Sequence, residues 1–359
     1  MKKVLYVLIA IAIFSCNSNQ KKEQSPVYSS INFESVDAYF ELLEQLENGK
    51  AISDKQWDTF LTLKGNRLYI DENNISSATL KLIRHEMEQS YIPDNDSLLK
   101  ASIDSNIRLQ IRKRYQDYKH EYLNHITWLK QNSEILQDSA VTLAKTYLPK
   151  SMRRLDTIPN IYIHGLWDGS ASDKGIFVDI ILQYDFDKRR LGSFIAHELH
   201  HFMMESKINT EHLDKHDTGP MWAVQSIQTE GIADLVDKST IVFEGSDWWL
   251  NTQYMALLNY APDVIGTLNQ YLEDEAQGIH HTEDAYRTAL ANSVGHIPGQ
   301  FMAEAIKRHG LLNEVISDLE NPFSFFYSYN QIANADEALP SLSENAIAFL
   351  QSLEAKYIH

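Results

Sequence analysis

The stretch Ser193–Lys207, "SFIAHELHHFMMESK", is an apolar, helix-compatible run that carries His197, Glu198, His200 and His201 where a core helix would hold alanine and leucine. It contains the pattern H-E-x-x-H, which begins at His197 and ends at His201. Residues four apart on an α-helix lie only about 40° apart around the axis, so both imidazoles project from one face and can bind one ion. Glu198 lies beside that face, where a carboxylate can take a proton from water. The pattern predicts a zinc site on a buried helix.

A set of hydrogen-bonded core histidines is the competing interpretation of this motif. Burial of two imidazoles and a carboxylate away from solvent is costly, and a metal with its hydrogen bonds would offset that cost. His200 lies about 60° from His197 on the helical wheel, and a ligand role for it would break the H-E-x-x-H geometry. We therefore interpret His200 as structural.

A catalytic zinc needs a third protein ligand and one open position. Downstream, "SIQTEGIADLVDK" is helical in character and places Glu230 and Asp234 four apart on one face. Here the chain resembles the gluzincins, zinc peptidases in which a glutamate on a following helix completes H-E-x-x-H. The resemblance implies that Glu230 is the third ligand and that Asp234 hydrogen-bonds a ligand histidine and fixes its tautomer. A solvated helix face is the alternative for Glu230.

The later segment "SVGHIPGQFMAEAIKRHG" is similar to a Y-x-x-G-x-x-F-like pattern of several gluzincin families, with His296 in the place of the tyrosine. The resemblance implies that His296 donates a hydrogen bond to the oxyanion of the tetrahedral intermediate. Tyr286, one loop upstream, competes for this role. The alternative interpretation of His296 is a histidine on a surface loop without a role in catalysis.

The N-terminus has the pattern of a secretory signal over residues 1–15, two lysines followed by an apolar run too short to span a membrane comfortably. The only cysteine, Cys16, follows a small residue and resembles the lipobox of bacterial lipoproteins. That resemblance implies lipidation of Cys16, a flexible tether over 16–30, and a location in the bacterial cell envelope, facing the periplasm or on the cell surface. Cleavage by the ordinary signal peptidase, with Cys16 as a passenger, is the alternative.

Composition and periodicity predict a globular, mainly helical chain. The 32 basic and 49 acidic residues give a formal charge of −17, which disfavours nucleic acid as a partner. We expect a helical N-terminal region over 31–148 and a peptidase domain over 149–359, where two strands, "NIYIHGLW" and "GIFVDIILQYDF", are antiparallel neighbours. Further helices are predicted at 221–239, 250–275, 283–293, 298–309 and 341–356. The fold class is α+β, mainly α with a small antiparallel sheet.

Taken together, these features resemble a bacterial lipoprotein family of zinc-dependent peptidases. The resemblance implies a lipid-anchored hydrolase of peptide or protein substrates in which Zn²⁺ is bound by His197, His201 and Glu230, and Glu198 is the general base. In gluzincins an edge strand near the active-site helix binds an extended peptide, and the strand that begins at Gly175 is either this edge or a core strand. The rival from another class is a non-catalytic lipoprotein, a binding module that zinc only stabilises. A metal-independent structural protein is the third interpretation.

Overall fold

The computed structural model of the protein describes residues 27–91, 106–209, 212–243 and 248–358. The predicted signal peptide, Cys16 and most of the tether lie outside these ranges. Within them, no helix combines the length and the apolar character that crossing a bilayer requires.

The N-terminal region is helical, as its periodicity predicts. Its elements are α1 (Glu34–Glu47), α2 (Asp54–Thr62), α3 (Lys64–Glu72), α4 (Ser77–Tyr91), α5 (Ile107–Asp117), α6 (Lys119–Gln131) and α7 (Ser133–Ala144). Helix α1 buries the stripe formed by Val36, Phe40 and Leu43. A capping box begins α2: the Ser53 hydroxyl accepts from the backbone N–H of Gln56, and the Gln56 side chain accepts from the backbone N–H of Ser53.

The sheet is mixed, which corrects the prediction of an antiparallel one. Its strands β1 (Ile31–Asn32), β2 (Ile161–His164), β3 (Gly169–Ser172) and β4 (Gly175–Asp179) lie in the order β1-β2-β4-β3. The two strands expected to be antiparallel neighbours, β2 and β4, run parallel, because the chain between them crosses over and forms a hairpin with β4. The segment of small and polar residues that reads as a loop contains β3. Ladder hydrogen bonds come from the backbone, so such an edge strand needs no apolar periodicity.

The second predicted strand also ends earlier than its apolar run. Asp179 accepts from the backbone N–H of Ile181 at 2.9 Å and caps a helix that continues to Asp187. The helices after the sheet are α8 (Ile180–Asp187), α9 (Ser193–Met203), α10 (Thr218–Asp234), α11 (Lys238–Phe243), α12 (Asn251–Asn259), α13 (Ala261–Ala276), α14 (Glu283–Ala289), α15 (His296–Arg308), α16 (Leu312–Ser317), α17 (Pro322–Ala333) and α18 (Glu344–Tyr357). The expected helix 250–275 is thus two helices, and neither α16 nor α17 had a counterpart in the prediction.

Helix α9, which carries H-E-x-x-H, packs against α7, α8, α10 and the strands β3 and β4. Helices α10 and α15 approach each other through two glycines: a Cβ on Gly231 would lie 2.5 Å from the carbonyl oxygen of Gly299. Only glycine permits this backbone approach. The contact brings the end of α10 and the start of α15 to the same place beside α9. The N-terminal region contributes α7 and β1 to this core, while the domain boundary at residue 149 stays a prediction.

Candidate metal centre

Three side-chain atoms converge at the face of α9 where H-E-x-x-H lies. The Nε2 atoms of His197 and His201 are 3.0 Å apart. Glu230, on α10, places Oε2 3.4 Å from the first and 3.2 Å from the second of these nitrogens. Ligands about 2.0–2.1 Å from a tetrahedral zinc are about 3.4 Å from one another, so the three separations fit that ion.

The surroundings of Glu230 also fit a cation. Its Oε2 is buried beside the imidazoles and makes no hydrogen bond of good geometry to the described part of the chain, and a buried carboxylate oxygen without a hydrogen bond is costly. Burial would raise the pKa of Glu230, but the imidazoles of His296, His201 and His197 hold it well below its ordinary value. The carboxylate is therefore ionised and directed at the two Nε2 atoms, as a metal ligand must be.

A layer of acids lies behind these atoms. His197 Nδ1 is 3.1 Å from Asp237 Oδ1 and 3.6 Å from Asp234 Oδ1, so Asp237 is the nearer acid to this imidazole. Asp234 instead faces His296, whose Nδ1 lies 3.1 Å from both of its oxygens. His296 Nδ1 is also 3.2 Å from Glu230 Oε2. The structure thus brings the sequence-predicted residues Glu230, Asp234 and His296 together with H-E-x-x-H, and adds Asp237.

A second, overlapping group of donors shares two of these residues. One ligand atom each from His197, Glu230, Asp234 and His296 lies within 4.8 Å of the others. In this group, however, Asp234 is already paired with the Lys238 ammonium at 2.5 Å. The set with His201 has the closer and more even separations.

Glu198 lies at the boundary between α9 and the edge strand β3. A Cβ on Gly169 would lie 2.9 Å from Glu198 Oε1, so the strand backbone passes directly beside this carboxylate. Burial raises the pKa of Glu198, and the neighbouring His197 and His201 partly offset this effect. A buried carboxylate with a raised pKa is suited to hold and release a proton.

A strained turn positions the start of β3. Trp167 and Asp168 have φ values of 84° and 73°, in the left-handed region that residues other than glycine rarely adopt. Three groups hold the turn: the Tyr69 hydroxyl donates to the Trp167 carbonyl at 2.7 Å, and the Asp179 carboxylate accepts from the Trp167 N–H at 2.8 Å, while the Asp179 N–H donates to the Asp168 carbonyl. Strain of this kind clusters at functional sites, where the surrounding structure maintains it.

The two remaining histidine and tyrosine candidates lie elsewhere. His200 is buried on the same helix, and burial, with the adjacent His201 and His197, lowers its pKa to about 3, so it is neutral. The Tyr286 ring is fully buried against Tyr271 and His281, and none of its described contacts is with the metal centre.

Sequence reasoning missed Asp237 and Lys238. Both follow the apolar pair after Asp234 in "GIADLVDK". Two charged residues next to this apolar pair were the only sign in the sequence that they belong to the site. Their position relative to His197 depends on how α10 ends, with a turn over 235–237 before α11, and spacing on a continuous helix does not reveal it.

Residues 57–338 match the model of the DUF5700 family, described as "Putative zinc dependent peptidase". The match covers more than three quarters of the chain and includes every residue of the metal centre. No curated protein and no solved structure matches the chain. The family description confirms the expected zinc cofactor. It also supports the expected peptidase activity at the level of the family.

Proposed function

The chain belongs to the DUF5700 family of zinc-dependent peptidases, and we propose that it is a lipid-anchored, gluzincin-type peptidase in which His197, His201 and Glu230 bind the metal. The observation that carries this proposal is the convergence of their three ligand atoms at separations of 3.0, 3.4 and 3.2 Å. Three protein ligands leave one position of a tetrahedral zinc open, which distinguishes catalytic from structural sites. When bound, zinc supplies Lewis acidity that polarises the scissile carbonyl and lowers the pKa of water.

Glu198 is the proposed general base. Its carboxylate accepts a proton from the attacking water and returns it to the nitrogen of the leaving amine. The raised pKa that burial gives this group supports both steps, because a base whose pKa is nearer neutrality accepts and releases a proton more readily.

The edge strand β3 is the proposed binding site for the peptide backbone. It pairs with β4 on one side, and no strand of the described part of the chain pairs with its other side, which is where a peptide strand would add. Gly169 brings this edge to Glu198, because the absent side chain leaves the backbone against the carboxylate. An extended peptide paired with β3 would therefore pass the catalytic base. The sequence left the strand that begins at Gly175, β4, as either this edge or a core strand, and β4 lies inside the sheet between β2 and β3.

His296 is the proposed donor to the oxyanion. Its Nδ1 is directed at Asp234 and Glu230, and these contacts orient the ring. Burial would lower the pKa of His296, but the carboxylates of Glu230 and Asp234 raise it above its ordinary value. The ring can therefore carry a proton on both nitrogens and donate through Nε2 to the substrate oxygen, where charge develops in the transition state. The position of Tyr286 supports His296 over it for this role.

The replacement Glu198→Gln tests the mechanism. We expect the variant to keep one zinc per chain and to lose hydrolysis of a mixed peptide library by a factor of at least about 10²–10⁴, because the amide cannot accept the proton. Wild-type hydrolysis should disappear with a chelator and return with zinc. Full activity of Glu198→Gln removes this residue from the mechanism, whereas a wild-type protein that holds zinc and cuts no peptide favours the binding-module alternative.

A further inference from the structure

A buried ammonium lies directly behind the metal centre. Lys238 is the first residue of α11, and its side chain is 13% exposed. Its Nζ lies 2.5 Å from Asp234 Oδ1, 4.0 Å from Asp237 Oδ2 and 3.5 Å from His296 Nδ1. Its backbone N–H donates to Asp237 Oδ1 at 2.6 Å, and this is the oxygen that faces His197 Nδ1. One residue thus contacts both acids that orient the imidazoles.

The two acids need this cation. The side chains of Asp234 and Asp237 are fully buried, and two carboxylates that share a dry space repel each other. Their other near neighbours in the described part of the chain are the imidazoles of His197 and His296. His197 must be neutral to bind the metal, and of the two acids His296 lies beside Asp234 only. Lys238 is therefore the group that supplies a full, permanent positive charge to the pair.

The tautomer of His197 depends on the same contacts. A ligand histidine that gives Nε2 to a metal carries its proton on Nδ1, and an ionised acceptor at Nδ1 fixes this state and strengthens the ligand. Asp237 is in position to be that acceptor, at 3.1 Å. If Asp237 rotated away, His197 would lose the partner that holds its ring and tautomer.

We propose that Lys238 is a positioning residue for the metal centre: its ammonium balances the charge of Asp234 and Asp237 and holds these acids in place, and through them it positions the rings of His197 and His296. This inference rests on the proposed function, since it takes His197 as a zinc ligand. Lys238 contacts neither substrate nor metal. It acts on zinc affinity through His197 and on turnover through His296.

The test is Lys238→Met, which keeps much of the side-chain volume and removes the charge. We expect the zinc dissociation constant, measured by competition with a chromogenic chelator on the full chain, to rise about 10–100-fold, the usual effect of losing an outer partner of a ligand. Lys307→Met is the matched control, because Lys307 is an exposed lysine on α15 whose ion pair with Glu304 is long, at 3.8 Å. This control should keep wild-type zinc affinity.

A double variant separates positioning from simple loss of stability. In Asp234→Asn/Lys238→Met one buried carboxylate is removed with the cation, so we expect tighter zinc binding than in Lys238→Met alone. If the methionine variant does not fold, Lys238→Gln, which keeps a donor without the charge, is measured in its place. Wild-type zinc affinity in the folded Met or Gln variant, or no recovery in the double variant, overturns the inference and leaves the proposed function intact. A wild-type protein that binds no zinc overturns both.

Discussion

Replacement of Gly169 by alanine tests the contact between β3 and the catalytic base. The added Cβ would lie 2.7 Å from Phe194 Cζ and 2.9 Å from Glu198 Oε1, both inside ordinary van der Waals distance. Phe194 is only 5% exposed, and its ring packs on Phe186 with a centroid distance of 5.4 Å. It therefore has little room to move, and the Glu198 carboxylate or the strand must yield.

The size of the effect follows from these distances. Ordinary contact begins at 3.4 Å, so Glu198 Oε1 and the new methyl group must separate by about 0.5 Å more than they do now. Overpacking of this kind costs about 1–3 kcal/mol of the free energy of unfolding. A misplacement of about 1 Å at a reacting group costs about 10²-fold in rate. We expect Gly169→Ala to lower kcat/KM by about 10–100-fold, with one zinc still bound, because the methyl group does not approach a metal ligand.

The assay is hydrolysis of a fluorogenic peptide library, with zinc content and thermal unfolding measured on the same samples. Gly266→Ala is the matched control: Gly266 is exposed within α13, and nothing lies within 4 Å of its added Cβ. This control should leave activity unchanged and stabilise the protein by about 0.5–1 kcal/mol. A folded Gly169→Ala variant with wild-type kcat/KM refutes the placement of β3 at the catalytic base.

Two further predictions concern acid stability and the anchor. Burial lowers the pKa of His164 to about 3. The folded protein therefore keeps this ring neutral, while the unfolded chain takes up a proton below about pH 6.5. The free energy of unfolding then decreases as the pH falls below about 6.5, by up to about 1.4 kcal/mol per pH unit. Urea unfolding between about pH 7 and 5 should show a smaller pH slope for His164→Asn than for the wild type, and equal slopes contradict a neutral His164. Cys16→Ser should move the protein from the membrane fraction to the soluble fraction of expressing bacteria, and unchanged membrane retention argues against lipidation at Cys16.

Local spacing predicted much of the helical fold and the main candidates of the site. The capping box at Ser53 and the buried stripe of α1 depend only on residues within a few positions of one another, so the sequence alone specifies both. The four-residue spacing of His197 and His201 placed both imidazoles on one face for the same reason. Zinc dependence followed from this pattern with the help of the glutamate helix, and the family supports it.

Long-range packing decided the rest. Helix periodicity states which side chains share a face, but not which faces meet, since that depends on close contacts such as the one between Gly231 and Gly299. That contact brings Glu230 and His296 together across 66 positions of the chain. The edge strand β3 has no apolar period to read, and its backbone pairing with β4 places Gly169 at Glu198. Asp237 and Lys238 reach the imidazoles only because α10 ends in a turn, so the layer behind the metal centre exists in the folded chain alone.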